Sequence, residues 1–181
     1  MYKLEKHSAP LYDQTKSEWM RQAKSHGRAL GELLARDVGN SFAGITANLD
    51  QPNNHSYFLV DGNGKSFAIL EIIFARPHKT GWLKLLDIKL CPSLIQDADT
   101  SIDTEKLKEA VEVVAFAITR SIGLIGKKEF KKAGLLKIYG RTELMSEIFS
   151  GMLVAGNLEK ALKPLSLSPK IEGRWLVIKK I

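Results

Sequence analysis

The stretch WLKLLDIKLCPSLIQDADTSIDTEKLKEAVEVVAFAI, Trp82 to Ile118, decides how the chain is read. Its first nine residues read as a strand. A polar segment follows, SLIQDADTSID, and Asp103 or Thr104 can cap a helix after it. Leu107, Ala110, Val111, Val114, Ala115, Ile118 and Ile122 then recur at helical spacing. A strand-to-helix joint of this form often holds a phosphate, through glycines that let backbone N–H groups approach it. This joint contains no glycine.

Upstream, SYFLV meets DGNG, a strong turn signal, and KSFAILEIIFA continues after it. RPHKTG turns the chain again into WLKLLDIKL. Three such runs predict an antiparallel meander. Ile69, Leu70, Ile72, Ile73 and Phe74 are so apolar that the middle strand should be covered on both faces. A first helix is expected from Asp13–Thr15, where TKSE has capping-box form with Thr15 and Glu18. Gly27 and Gly31 weaken it and predict a kink or a break, and it should end before Gly39. NLDQPNNHS reads as loop.

Downstream, LLKIYG reads as a short buried strand. Thr142 can cap a second helix through ELMSEIFSGML. The closing LSLSPKIEGRWLVIKKI reads as one strand or a pair, with Pro169 and Gly173 at a turn or bulge. Strands joined through helices late in the chain imply some parallel pairing, so the expected fold is a single α+β domain, residues 1–181, with a mixed sheet.

The chain has 181 residues, 44% hydrophobic and 26% charged, enough for a core. One cysteine, Cys91, excludes an internal disulfide and a cysteine-rich zinc site. The four histidines, His7, His26, His55 and His78, lack metal-site spacing, and no metal is expected. Asp97, Asp99 and Asp103 resemble a cation cluster but lack the glycine and terminal glutamate of a calcium loop. No membrane span and no secretory signal are read, and a cytoplasmic location is expected. Net charge is +7: residues 1–100 carry 12 Lys and Arg against 11 Asp and Glu, residues 101–181 carry 15 against 9. Most of the excess lies in RSIGLIGKKEFKKAGLLKIYGR, 120–141. It suits a nucleotide cofactor, a nucleic acid or an acidic protein, or is a solvated lysine-rich turn. No nucleic-acid motif accompanies it, and the neutral N-terminal half weighs against nucleic acid.

The element order resembles the GNAT superfamily of acyl-CoA-dependent N-acyltransferases, over nearly the whole chain. LLDIKLCPS is similar to the family's fourth strand and its proline-ending pair, here Cys91-Pro92. TELMSEIFSGM is similar in spacing to a later family pattern, at Thr142, Met145, Ile148-Phe149 and Gly151. The resemblance implies a mostly antiparallel sheet flanked by helices, and acetyl-CoA or another acyl-CoA as donor. It also implies a small-molecule or protein amine as acceptor. Two features depart from it. The family's phosphate loop, Arg/Gln-x-x-Gly-x-Gly/Ala, is replaced by three carboxylates that would repel a pyrophosphate. Phe149 stands where many members carry a tyrosine that protonates the leaving thiolate, and a phenyl ring cannot do that.

The resemblance assigns candidate roles. Glu71 or Asp87 is the general base, and Tyr139 is the nearest hydroxyl that could serve as acid. Backbone groups of Ile88, Lys89 and Leu90 would hold the pantetheine arm. Thr104, Lys127 and Lys128 would meet phosphates. Glu71 and Asp87 could equally face solvent or pair with lysines, and Tyr139 could be a packing residue. Cys91 reads as a buried, inert thiol rather than a nucleophile. The alternative is a non-catalytic module on the same scaffold, recognising an anionic partner and forming a homodimer.

Overall fold

The computed structural model describes residues 2–49, 51–75, 81–96, 103–140, 149, 150, 153 and 157–181. The elements run β1 (Lys3–Lys6), α1 (Ala9–Lys24), α2 (Arg28–Asn48), β2 (Asn54–Val60), β3 (Ser66–Ala75) and β4 (Gly81–Leu90). Then follow α3 (Thr104–Ile122), β5 (Ala133–Tyr139), α4 (Asn157–Leu162), β6 (Leu167–Glu172) and β7 (Trp175–Lys180). The seven strands are hydrogen-bonded in the order β1-β2-β3-β4-β5-β7-β6. The fold is α+β with a mixed, mostly antiparallel sheet, as the sequence predicts. Among the described residues no helix is long and apolar enough to cross a membrane. The chain forms two compact units, Met1–Glu71 with Ile88–Thr119, and Ile72–Asp87 with Arg120–Ile181.

In the first unit, α1 starts earlier than TKSE predicts. Ser8 is the N-cap and Pro10 occupies the first turn, where its missing N–H costs nothing. Thr15 is buried inside the helix and caps nothing. The expected break is real: α1 ends at Lys24 and α2 begins at Arg28. α2 does not stop before Gly39 but runs on to Asn48. Its buried residues Leu34, Val38, Phe42 and Ile45 keep helical spacing straight through that glycine. Trp19 of α1 meets Phe42 edge-on, ring centroids 6.0 Å apart, and Tyr12 does so at 5.0 Å. The Tyr12 hydroxyl donates to the Phe42 carbonyl at 3.0 Å.

The glycines of α2 are not equivalent. A Cβ on Gly31 would sit 2.9 Å from the Ala23 carbonyl oxygen and 3.3 Å from that of His26, both backbone atoms. Gly39 and Gly44 have nothing within 4 Å of such an atom. Gly39→Ala should therefore stabilise the protein by about 0.8–1 kcal/mol, the helix-propensity gain. Gly31→Ala should destabilise it by about 1–3 kcal/mol through overpacking. Urea unfolding of the two variants checks the opposite signs.

The N-terminal strand β1 was not anticipated. It pairs antiparallel with β2, from Lys3↔Val60 to Lys6↔Tyr57. β2 and β3 are joined through Asp61–Lys65, where the Asp61 carboxylate accepts from the N–H groups of Asn63 and Lys65. Gly64 supplies the positive φ, 80°. β3 is buried on both faces from Ser66 to Leu70, then alternates, so the two-sided covering holds for its first half. α3 spans the predicted residues, and its packed face overlaps the predicted stripe in part. Val113, Ala117 and Ile118 are buried, whereas Leu107 and Val111 are 51% and 61% exposed. The stripe read from sequence holds at Ala110, Val114, Ile118 and Ile122, which are half-buried or buried, and fails at Leu107, Val111 and Ala115, which are exposed, while Val113 and Ala117 pack instead.

In the second unit, β4 and β5 pair in parallel from Gly81↔Ala133 to Leu85↔Ile138. β5 pairs antiparallel with β7, and β7 with β6. The closing pair is thus a hairpin, turned at Gly173 with φ 58°. Pro169 lies on β6, the outer strand, where a missing N–H breaks no ladder. Phe130 is fully buried and meets Phe74 edge-on at 5.5 Å. The turn read at 76–81 and the helix start at Thr142 lie almost wholly outside the described residues.

Candidate functional site

The end of β4 is held from several sides within the first unit. The Cys91 N–H donates to the Phe67 carbonyl at 2.9 Å. A short 3-10 turn, Pro92–Leu94, follows. From α1, Gln22 accepts the Ser93 N–H at 3.2 Å, and from the turn after α1, His26 Nε2 lies 2.9 Å from the Pro92 carbonyl oxygen. That oxygen can only accept, so His26 carries its proton on Nε2. Cys91 is buried, its sulfur 3.2 Å from the Ser93 hydroxyl, and burial pushes its thiol pKa up. That favours the inert thiol over a thiolate nucleophile. His78 lies outside the described residues.

The joint to α3 is closed by a side chain. Gln96 donates through Nε2 to the Asp103 carbonyl and accepts the Asp103 N–H through Oε1, both at 2.8 Å. Asp103 is the N-cap: its carboxylate accepts from the N–H groups of Glu105 and Lys106, each at 3.1 Å. Two of the helix's open donors are thereby used, and a negative charge occupies the end where a phosphate would be attracted. Thr104 is exposed at the first position of α3, next to this cap. Asp97 and Asp99 lie outside the described residues. Among the described residues no group of three or more His, Cys, Asp or Glu could hold a metal ion.

Ile88, Lys89 and Leu90 are half-buried at the end of β4. The parallel register with β5 runs only to Leu85, so β4 continues five residues beyond it, to Leu90. Asp87 lies on this continuation and is half-buried. Glu71, on β3, is also half-buried and accepts from Asn54 Nδ2 at 3.3 Å. The carboxylate thereby fixes the Asn54 amide, leaving its Oδ1 buried and without a partner among the described residues. Asn54 lines a pocket of about 230 Å³ together with Lys6, His7, Asn48, Gln51 and His55.

The remaining candidates belong to the second unit. Tyr139 ends β5 and packs on Trp175, ring centroids 4.8 Å apart. Lys127 and Lys128 are exposed ahead of β5. Phe149 is 2% exposed, so its ring is a packing element. Sequence reasoning missed Gln22, His26 and Gln96 as organisers of the β4–α3 joint. Gln22 and His26 act across 71 and 66 residues, and no local pattern signals such a bond.

No family model and no curated protein matches the chain. Among solved structures it is similar to a possible acetyltransferase from Clostridium difficile 630, at 11% identity, with 88% of this chain and 90% of that one covered and a TM-score of 0.45. The spermidine/spermine N-acetyltransferase SpeG from Vibrio cholerae is similar at 9% identity, 99% and 92% coverage and a TM-score of 0.44. AtaTR bound with AcCoA is similar at 8% identity, 99% and 93% coverage and a TM-score of 0.38. Several of the solved structures that this chain is similar to are described as acetyltransferases, one of them as a member of the GNAT family.

Proposed function

We propose that the chain is an acyl-CoA-dependent N-acyltransferase of the acetyl-transferring kind, with its acyl donor laid along the end of β4. The observation that carries this reading is the run of β4 past its last β5 partner, Leu86 to Leu90, half-exposed at every residue. A strand extended in this way suits an extended amide-bearing arm, which Ile88, Lys89 and Leu90 would hold by backbone hydrogen bonds. Asp87, next in sequence to Ile88, is one candidate base. It would take the amine proton as the nitrogen attacks the thioester carbonyl. Glu71 is the other candidate, already engaged with Asn54. Tyr139 would return a proton to the departing thiolate. Lys127, Lys128 and Thr104 are candidates for the coenzyme's phosphates. A cytoplasmic homodimer belongs to the same reading.

A second reading, a non-catalytic binding module, is favoured by the cap at Asp103, which occupies the donors a pyrophosphate would need. Thermal unfolding with acetyl-CoA and CoA separates the two. Ligand at about 100 times its Kd adds roughly 2.7 kcal/mol. For a domain of this size that raises Tm by roughly 5–11 °C. Asp87→Asn should keep the shift and lose turnover of an amine acceptor. Absence of any shift at millimolar ligand would leave the binding-module reading standing.

A further inference from the structure

Folding sorts the charge far more sharply than the sequence halves indicate. The first unit holds 11 Lys and Arg against 14 Asp and Glu, a net of −3. The second holds 16 against 6, a net of +10. The neutral N-terminal half, which weighed against nucleic acid in the sequence, thus belongs largely to a different unit.

Within the second unit the strand registers place four lysines, with Glu172, on one sheet face. Lys84 pairs with Lys137, Lys137 with Val177, and Val177 with Lys170, a single row across β4, β5, β7 and β6. Lys179 pairs with Leu135 two positions along β5 and so shares the face. At about 4.8 Å per strand the row spans roughly 14 Å. Contacts between the side chains agree with the register. Lys84 Nζ lies 5.7 Å from the Trp175 ring centroid, and Glu172 takes Lys137 at 3.1 Å and Lys170 at 2.9 Å. Those two lysines hold the Glu172 carboxyl below its usual range. Lys170 keeps 67% of its side chain exposed, and Lys179 is exposed. Lys127, Lys128, Lys131 and Lys132, all exposed, lead into the same strands, where the Lys132 carbonyl accepts the Gly81 N–H at 2.8 Å.

We infer that this β4–β5–β7–β6 face binds the phosphate backbone of nucleic acid. Like charges directly opposite on neighbouring strands, as at Lys84 and Lys137, repel; Glu172 offsets only part of the row, which with Lys170 and Lys179 keeps a net positive charge for a further anion. A polyanion with closely spaced charges matches a row of lysines better than one small anion does. The ring of Trp175 is occupied by Tyr139 and Lys84, and Trp82, on the same face, is half-buried. Recognition is therefore of the backbone, with little sequence preference.

The test is fluorescence anisotropy of the full chain with labelled 20-nucleotide RNA and DNA strands and a DNA duplex, from 50 to 200 mM salt. Binding should weaken linearly in log–log terms. The triple variant Lys84→Gln, Lys170→Gln and Lys179→Gln should reduce that slope by about 2–3 and affinity on the order of tenfold or more. Lys24→Gln, Lys106→Gln and Lys108→Gln, the same charge change on the first unit, should leave binding unchanged. Should the triple variant unfold, Lys170→Gln alone should still reduce the slope by about 0.7–0.9. The inference is overturned by equal losses in both triple variants, by no binding at 50 mM salt, or by equal affinity for a polyglutamate peptide. CoA titration is read separately, so this result and that of the acyltransferase reading are independent.

Discussion

Trp19→Ala should remove about 3–5 kcal/mol of stability by the loss of buried ring alone. Trp19 is 1% exposed, and its ring stands at 90° to that of Phe42, itself fully buried. The indole N–H donates to the Ser66 carbonyl at 3.1 Å, a bond that ties α1 to the first residue of β3. Deleting the ring leaves that carbonyl buried and short of a partner, which costs about 1–3 kcal/mol more. Typical domains hold only about 5–15 kcal/mol in all, so the alanine variant should sit at the edge of folding. Trp19→Phe separates the two contributions. It keeps most of the volume and loses the hydrogen bond, and should cost about 1–2 kcal/mol. Urea midpoints for the two variants measure the difference; equal losses would mean that the bond to Ser66, not the ring, dominates.

The second large effect is expected at Phe130, in the core of the other unit. Phe130→Ala should cost about 3–5 kcal/mol, since the ring is fully buried and packs edge-on against Phe74. The same pair makes Gly81 obligatory. A Cβ there would fall 2.5 Å from Phe74 Cε2 and 2.9 Å from Cζ, and Phe74 is only 3% exposed. Gly81→Ala alone should cost about 1–3 kcal/mol. In the Phe130→Ala background, Phe74 gains room to move away. The double variant should then lose less than the sum of the singles, by at least about 0.5 kcal/mol. Strict additivity would mean that Phe74 relieves the clash in some other direction.

These two cores also show what a sequence can and cannot disclose. β2, β3, β4, α3 and β5 were legible because composition and turn residues mark them locally. β1 was not: four residues, KLEK, paired on one side only, carry no pattern that stands out from a polar terminus. The start of α1 was misplaced because TKSE matches a capping box, while Pro10, the better signal, lay upstream. α2 outran Gly39 because tertiary packing of Val38 and Phe42 outweighs a propensity cost of about 1 kcal/mol. For the candidate site, the sequence disclosed Asp103 as a cap and Cys91 as a buried thiol. The organisers Gln22, His26 and Gln96 were invisible, since each owes its role to a partner brought near by folding. The charge segregation was hidden for the same reason: residues 72–87 join the C-terminal unit and 88–119 the N-terminal one, so counting by halves blurs it.

The two bonds between Gln96 and the Asp103 backbone carry a further consequence, for how this chain can be altered. They fix both ends of the intervening chain, whatever residues lie between. A longer connection closed by the same clasp adds only about 0.6 kcal/mol for each doubling of its length. The clasp is therefore a natural port for grafting: peptides introduced between Gln96 and Asp103 should leave the strand before them and the helix after them in place.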